Sequence, residues 1–148
     1  MERTRLLSAV SERHSLKLYT HNPTPQLPHA QNMGPIDYYD VMPHVFRCSR
    51  VNLNISLRSI RSGIPLRAFD IIGAGGFLLS NYQADFADCF TAGEDYDFYE
   101  DEADLLRKLD YYLSHDSVRQ EMAANAHRKL TGQHTFIHRI RRMLEIIS

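Results

Sequence analysis

The feature that most constrains the fold is an alternation of strand and helix patterns in the middle of the chain. The segments VNLNISL at 51–57 and FLLSN at 77–81 are rich in apolar and β-branched residues, as buried strands are. A loop with a glycine and a short helix at 65–74 separate the two segments. A helix between two strands of one sheet connects them in parallel. The pattern therefore predicts an α/β fold, with a Rossmann-like, mainly parallel sheet flanked by helices.

Apolar spacing and turn residues predict the remaining elements. Apolar residues recur three and four positions apart in helical segments and alternate in strands, whereas clusters of proline and polar residues interrupt both. In chain order, the other elements are expected to be a helix at 3–13, a strand at 15–19, a long loop at 20–35, a helix interrupted near Pro43 at 37–49, a strand at 95–100, and helices at 102–114, 116–131 and 135–147.

Length and composition limit the classes of protein that remain. The 148 residues suit one domain covering 1–148, and 43% hydrophobic with 24% charged residues is typical of a globular chain. A net charge of -1 argues against nucleic-acid binding. No apolar run approaches the roughly 20 residues that span a bilayer, and no signal-peptide core is present, so a cytoplasmic protein without a membrane span is expected.

The loop before the helix at 65–74 has the composition of a phosphate site. Ligands of open α/β sheets bind beyond the carboxyl ends of the strands, which is where this loop lies. Pro65 suits the first helical position, which leaves the preceding amides unpaired at the positive end of the helix. Gly63 allows close approach of the backbone, and arginines neutralise phosphate charge. The alternative is an ordinary loop with solvated arginines. The predicted diphosphate contacts are Arg58, Arg61, Ser62, Gly63, Ile64 and Arg67.

Asp70 is the predicted ribose contact. It follows Arg67 by three positions, so both side chains are expected on one side of a short helix and in one cleft with the loop amides. A carboxylate accepts two hydrogen bonds from a ribose diol, which is the usual way that α/β folds hold a nucleoside. A surface ion pair between Arg67 and Asp70 is the alternative. The later GAGGF ends a helix, so it reads as a tight turn and not as a dinucleotide fingerprint.

No metal site is predicted. His134 and His138 are four residues apart on a helix, a spacing that suits zinc, but no third ligand lies near them in sequence. Cys48 and Cys89 are far apart and have no metal or redox spacing. Metal-independent chemistry and reduced thiols are therefore expected.

The stretch CSRVNLNISLRSIRSGIPLRAFDIIGAGGFLLSNY, followed by YEDEADLLRKLDYYLSHDSVRQEMAANAHRKL and HTFIHRI, resembles the C-terminal domain of glycosyltransferases related to the spore maturation protein CgeB. The resemblance implies the C-terminal half of a GT-B fold, in which two Rossmann-like domains face each other and the C-terminal one binds a nucleotide sugar. In the wider group, two acidic residues spaced E-x7-E contact the sugar and the ribose. Asp70 matches the second of them, whereas Ser62 stands at the first and cannot make the contacts of a carboxylate.

The expected function is therefore that of a sugar-nucleotide-binding domain of a glycosyltransferase. It would take an NDP-sugar donor such as a UDP-sugar and would be inactive alone, because the N-terminal acceptor domain, or a partner chain in its place, is missing. The catalytic residues are not identified. Apolar surface or a sheet edge left open by the missing domain predicts a homodimer. The alternative is a non-catalytic interaction or oligomerisation module that keeps the fold without the site, for which Ser62 is the main argument.

Overall fold

The computed structural model describes residues 2–57, 59–60 and 62–147. Helices account for most of the regular structure within these ranges, and the last three follow one another without a strand between them. A 3₁₀ helix at Ala84–Asp88 adds one short turn. The α-helices are α1 (Glu2–Arg13), α2 (Met42–Cys48), α3 (Leu66–Gly73), α4 (Glu102–Ser114), α5 (Asp116–Gln133) and α6 (Phe136–Ile147).

Every strand pair in the described residues is parallel. The main sheet has three strands in the order β3-β4-β5, with Leu53 opposite Leu79 and Leu79 opposite Asp97. The predicted parallel connection between the segments at 51–57 and 77–81 is thus confirmed, with α3 between them. The strands are β1 (Lys17–Leu18), β2 (Gln31–Asn32), β3 (Asn52–Asn54), β4 (Leu78–Asn81) and β5 (Asp97–Tyr99).

Helices cover the main sheet on both faces. Leu79 packs in a cluster with residues of α1 and α4, whereas its neighbour Leu78 packs with residues of α3 and α5. Successive strand residues point to opposite faces, so the two clusters form the two halves of a three-layer core. The two sides are dominated by Leu6, Val10, Leu105 and Leu109 on the first and by Ala68, Ile71, Ile72 and Ala126 on the second.

Three local predictions need correction. The strand expected at 15–19 is reduced to β1 and pairs with β2, which lies inside the predicted loop at 20–35, so it is no part of the main sheet. Pro43 does not interrupt a helix but lies in the first turn of α2, where a proline removes no helical hydrogen bond. Pro65 is the N-cap residue of α3 and Leu66 is its first helical residue, so the helix begins one position later than predicted.

The glycine turn predicted after α3 is present. The Gly75 N–H donates to the Ile72 carbonyl and the Gly76 N–H to the Ile71 carbonyl, which together form a Schellman motif. Gly75 has φ +84°, a value that L side chains rarely adopt. A Cβ at Gly76 would lie 2.6 Å from the Phe46 carbonyl oxygen. The turn therefore needs both glycines, and it leads the chain directly into β4.

The last helix differs from the prediction in one respect. As expected, α6 lies outside the sheet, but none of its described residues is buried. Its contact with the rest of the domain includes Arg139, whose guanidinium lies 4.8 Å from the centre of the Phe69 ring. The apolar residues that share a face of α6 remain exposed, including Ile137, Ile140 and Leu144. Within the described ranges, none of the helices is long and apolar enough to cross a membrane.

Candidate functional site

A cleft of about 430 Å³ opens where β3 ends and α3 begins. This is the carboxyl end of a parallel strand, the position at which open α/β sheets bind ligands. Arg67 and, from the opening helix, Arg3 contribute positive charge to its wall. The lining residues are Arg3, Asn54, Ile55, Ser56, Leu57, Ile60, Ser62, Gly63, Ile64, Pro65, Leu66 and Arg67. Four of the six predicted diphosphate contacts line this cleft, and the other two, Arg58 and Arg61, lie outside the described residues.

The start of α3 has no side-chain cap. Pro65 occupies the cap position and has no N–H, while its carbonyl accepts from the Ala68 amide. The backbone N–H groups of Ser62 and Ile64 have no acceptor in the described part of the chain. Unpaired amides next to the positive end of a helix are suited to an anion. These two amides are therefore available to a ligand, and their predicted contact with a diphosphate stays a prediction.

Gly63 differs from its neighbours, because its amide is already engaged. Its N–H donates to Oδ2 of Asp85, a residue of the 3₁₀ helix that follows β4. The backbone at Gly63 has φ +88°, which glycine adopts without strain. The sequence reasoning did not select Asp85. Its position just after a strand at the site edge of the sheet is the signal that would have found it.

Asp70 lies farther along α3 and is not among the residues that line the cleft, which corrects the expectation that it shares one cleft with the loop amides. Its carboxylate accepts a hydrogen bond from the Tyr38 hydroxyl, which comes from the segment before α2. This hydrogen bond raises the pKa of Tyr38, burial and the Asp70 charge add to the rise, and the positive charge of Arg67 opposes it. Arg67 and Asp70 form no ion pair with each other. Tyr38 is a second residue that the sequence reasoning missed, since nothing in its local pattern links it to α3.

A network of polar side chains connects the carboxyl ends of β3 and β4. The Asn54 Nδ2 donates to the hydroxyls of Ser56 at 3.2 Å and Ser80 at 3.0 Å. The Ser56 hydroxyl donates in turn to Gln83 Oε1 at 3.4 Å. Gln83 is only 6% exposed, and its Nε2 has no hydrogen-bond partner among the described residues. Asn54 and Ser56, which line the cleft, thus belong to a polar network that contains one buried donor without a partner among the described residues.

Asn52 and His138 each make hydrogen bonds within the protein. The Asn52 side-chain amide donates to the carbonyls of Phe46 at 2.9 Å and Phe77 at 3.1 Å. His138 Nδ1 lies 2.6 Å from the Thr135 hydroxyl. In the described ranges, no group of three or more His, Cys, Asp or Glu side chains is arranged to hold a metal ion.

A parallel sheet covered by helices on both faces, with a cleft at the carboxyl end of β3, defines a Rossmann-like α/β domain. Residues 3–145 match the sequence profile described as glycosyl transferase-like. The match covers nearly the whole chain, and the chain belongs to this glycosyl transferase-like family. A direct sequence comparison with curated proteins finds no match.

Solved structures support the same fold. The chain is similar to sucrose-phosphate synthase from Thermosynechococcus elongatus with a TM-score of 0.75 and 12% sequence identity. The similarity covers 99% of this chain and 43% of the synthase chain, so the chain spans less than half of that relative. The fold is that of the Rossmann-like C-terminal half of a GT-B protein, as the sequence predicted. Identity this low carries the fold alone, and the reaction has to be argued from the site.

Proposed function

We propose that the domain binds the nucleotide-sugar donor of a glycosyltransferase. The observation that carries this proposal is the cleft at the carboxyl end of β3, where the amides of Ser62 and Ile64 lack partners just before α3. Such amides bind phosphate oxygens, and the dipole of α3 favours the negative charge. Membership of the glycosyl transferase-like family supports a nucleotide sugar over other phosphorylated ligands.

The arginines of the loop are assigned to the diphosphate. Arg67, the second residue of α3, lines the cleft. Arg58 and Arg61 belong to the loop that precedes α3 in the sequence. Charge-assisted hydrogen bonds from guanidinium groups to phosphate are about twice as strong as neutral ones. Arg3 of α1 adds a further cation to the wall. The net charge of -1 is thus compatible with local attraction of an anion, because Arg3 and Arg67 line the same cleft.

Asp70 is assigned to the ribose. Its Oδ2 is engaged by Tyr38, but a carboxylate offers about four acceptor positions over its two oxygens, so Oδ1 stays available to a diol. Asp70 follows Arg67 by three residues, and three residues of helix rise about 4.5 Å, a spacing compatible with a phosphate and a ribose of one nucleotide. In this arrangement the nucleoside lies at the side of α3 where Tyr38 packs.

The wider assignment follows from the same argument. We place the domain with cytoplasmic glycosyltransferases related to the spore maturation protein CgeB, on the resemblance of its motifs. The chain matches 43% of the synthase, and glycosyl transfer needs an acceptor held against the donor. The isolated domain is therefore expected to bind a nucleotide sugar without transferring the sugar, and a second domain or partner chain would complete the reaction. No metal is assigned to the donor site.

Calorimetric titration with UDP and with 2′-deoxy-UDP tests the assignment. Wild-type protein should bind UDP in the micromolar to low millimolar range and 2′-deoxy-UDP more weakly, because one hydroxyl contact with Asp70 is lost. Asp70→Ala should weaken UDP binding about 10-fold to 100-fold, the range of a charged hydrogen bond, and should abolish the preference for UDP. Arg67→Ala should weaken both nucleotides alike.

Asp110→Ala and Arg107→Ala are matched controls on α4, outside this cleft. Binding that survives Asp70→Ala with the preference for UDP intact would remove the ribose assignment and leave the phosphate contacts. A folded sample that binds no nucleotide would favour the second candidate, a non-catalytic interaction module. Two observations speak for that candidate, namely Ser62 at the expected acidic position and the exposed apolar face of α6.

A further inference from the structure

Asp85 places a carboxylate at the phosphate loop from a different part of the chain. It lies in the 3₁₀ helix after β4, and its Oδ2 accepts the N–H of Gly63, the residue next to Ser62. The carboxyl ends of β3 and β4 lie side by side in the sheet, which explains how residues 22 positions apart meet there. The contact lies at the rim of the cleft that Ser62 and Gly63 line.

We propose that Asp85 is the carboxylate that binds hydroxyl groups of the donor sugar in this cleft. The inference rests on the proposed function, because it assumes that a nucleotide sugar occupies the site. The acidic residue that the sequence resemblance places at position 62 is a serine here. Asp85 supplies a carboxylate within one residue of that position. Its Oδ2 is anchored by the Gly63 amide, while Oδ1 has no hydrogen-bond partner in the described chain.

The chemistry of the carboxylate favours hydroxyls over phosphate as its ligand. An ionised carboxylate only accepts hydrogen bonds, and a phosphate has acceptors of the same charge, so the two repel each other. Sugar hydroxyls are donors, and hydrogen bonds from them to a carboxylate are strengthened by its charge. The anchor on Gly63 also fixes the carboxylate before the ligand arrives, which lowers the entropy lost on binding. The diphosphate then uses the amides of Ser62 and Ile64, which are unpaired.

Gln83 gives independent support for a hydroxyl ligand at the same edge. Its Nε2 is a buried donor without a partner, and its Oε1 accepts from Ser56, which lines the cleft. A buried polar group without a partner is costly, and native structures usually satisfy it through water or a ligand. A sugar hydroxyl both donates and accepts. Gln83 lies two residues before Asp85 and is linked to the cleft through Ser56.

The test compares UDP with UDP-glucose, UDP-galactose and UDP-N-acetylglucosamine by calorimetry, using wild-type protein and Asp85→Asn. Asparagine keeps an acceptor for the Gly63 amide but loses the charge, so the loop should keep its conformation. Wild-type protein should bind at least one of the UDP-sugars more tightly than UDP. Asp85→Asn should reduce that gain at least about fivefold without weakening UDP itself, because a neutral acceptor replaces a charge-assisted one at the sugar, whereas the phosphate loses only a repelling charge. Asp85→Glu should restore part of the gain.

Asp88→Asn is the matched control, because it makes the same change of charge in the same 3₁₀ helix at an exposed residue. It should change neither affinity. Asp85→Asn protein that binds UDP and all three UDP-sugars more tightly by the same factor would overturn the proposal and make Asp85 a competitor of the phosphate. An equal loss for UDP and UDP-sugars, with a lower melting temperature, would make Asp85 a structural anchor of the loop. A wild-type protein that binds UDP but gains nothing from any of the sugars would also overturn it, whereas failure to bind UDP at all would overturn the proposed function itself.

Discussion

Helices α3 and α6 have similar amphipathic patterns, but they bury very different parts of them. In α3, Ile71 and Ile72 are fully buried against β4 and α5. In α6, Ile137 and Ile140 are 61% and 55% exposed, and no described residue of the helix is buried. Periodicity predicts that each helix has an apolar face, but it does not say whether this chain covers that face.

The two helices also differ in how they are connected to the sheet. The chain runs from β3 through α3 into β4, so the two neighbouring strands hold α3 against the sheet. The Schellman turn at Gly75 and Gly76 fixes the angle at which the chain leaves it. By contrast, α6 follows α5 and no strand comes after it in the described residues. The two strand connections thus hold α3 in the core, whereas α5, which adjoins no strand either, reaches the core by packing with α3.

The largest expected effect is a difference in the free energy of unfolding between a substitution in α3 and one in α6. Ile71→Ala in α3 should lower the free energy of unfolding by about 2–5 kcal/mol, because it leaves a cavity in a closed core. Ile140→Ala in α6 should change it by less than about 0.5 kcal/mol, because the side chain is exposed and alanine favours helix. Urea denaturation of both variants measures the difference. Equal losses would show that α6 is packed in solution.

A pair of glycine substitutions sharpens the comparison at the helix ends. Gly76→Ala should destabilise by about 1–3 kcal/mol, because the new Cβ would meet the Phe46 carbonyl oxygen and the Asn52 Nδ2, 2.6 and 2.7 Å away. Gly132→Ala, near the end of α5 and with nothing within 4 Å, should stabilise by about 0.5–1 kcal/mol. The melting temperatures of the two variants should therefore move in opposite directions. A stable Gly76→Ala protein would contradict the close packing of this turn.

The exposed face of α6 also bears on the homodimer predicted from the sequence. Ile137→Glu with Ile140→Glu should weaken self-association at least about tenfold, since charges at the centre of an apolar contact are costly to desolvate. Arg139 stays unchanged, so its contact with Phe69 is retained. Light scattering over a range of concentrations measures the effect, and Arg141→Gln controls for part of the charge change on the same helix. A wild-type protein that stays monomeric at high concentration would contradict the prediction.

The smallest expected effect is the pH dependence of the free energy of unfolding through His134, which lies between α5 and α6. Burial lowers the pKa of His134 below its ordinary value of 6.5, and the nearby charges of Arg139 and His138 lower it further. The folded state therefore binds the proton less tightly than the unfolded state does. The stability from neutral His134 is fully present above pH 6.5 and is lost as the pH falls through 6.5 towards the folded pKa.

His134→Gln should make the free energy of unfolding less sensitive to acidification from about pH 7.5 to about pH 5.5, since the titrating group is removed. His29→Gln, at an exposed position of the long segment before β2, should leave the pH dependence unchanged. If both variants retain the wild-type pH dependence, His134 is not a group that couples stability to pH. This comparison uses urea denaturation at each pH.

Much of the fold follows from local pattern, because strand and helix signals come from neighbouring residues. The strands near 51–57, 77–81 and 95–100 and the helices from 102 onwards were predicted close to their observed positions. The strand at 15–19 was placed in the wrong sheet. Its partner, β2, is only two exposed residues in a segment rich in proline and polar residues. Such a short strand has no periodicity of its own, so its pairing is decided by tertiary contacts.

The residues of the candidate site also fall into two groups, those that local sequence predicts and those that only tertiary contacts bring to the site. Ser62, Gly63 and Ile64 come from one loop and Arg67 from the first turn of the helix that follows it, and the rule that ligands bind at the carboxyl ends of parallel strands was enough to select this segment. The contacts from Tyr38 to Asp70 and from Asp85 to Gly63 span 32 and 22 residues. No local pattern encodes which distant side chain reaches a loop.

The sequence by itself determined the order of elements, the parallel connection through α3 and the loop that faces the cleft, because hydrophobic period and turn chemistry act over a few residues. Only the tertiary structure decided that Asp85 engages the Gly63 amide, that Tyr38 engages Asp70 and that the apolar face of α6 stays exposed. These outcomes depend on which surfaces meet once the sheet has formed. Packing between distant segments is a property of the whole domain, and it sets the partner of each polar and apolar group.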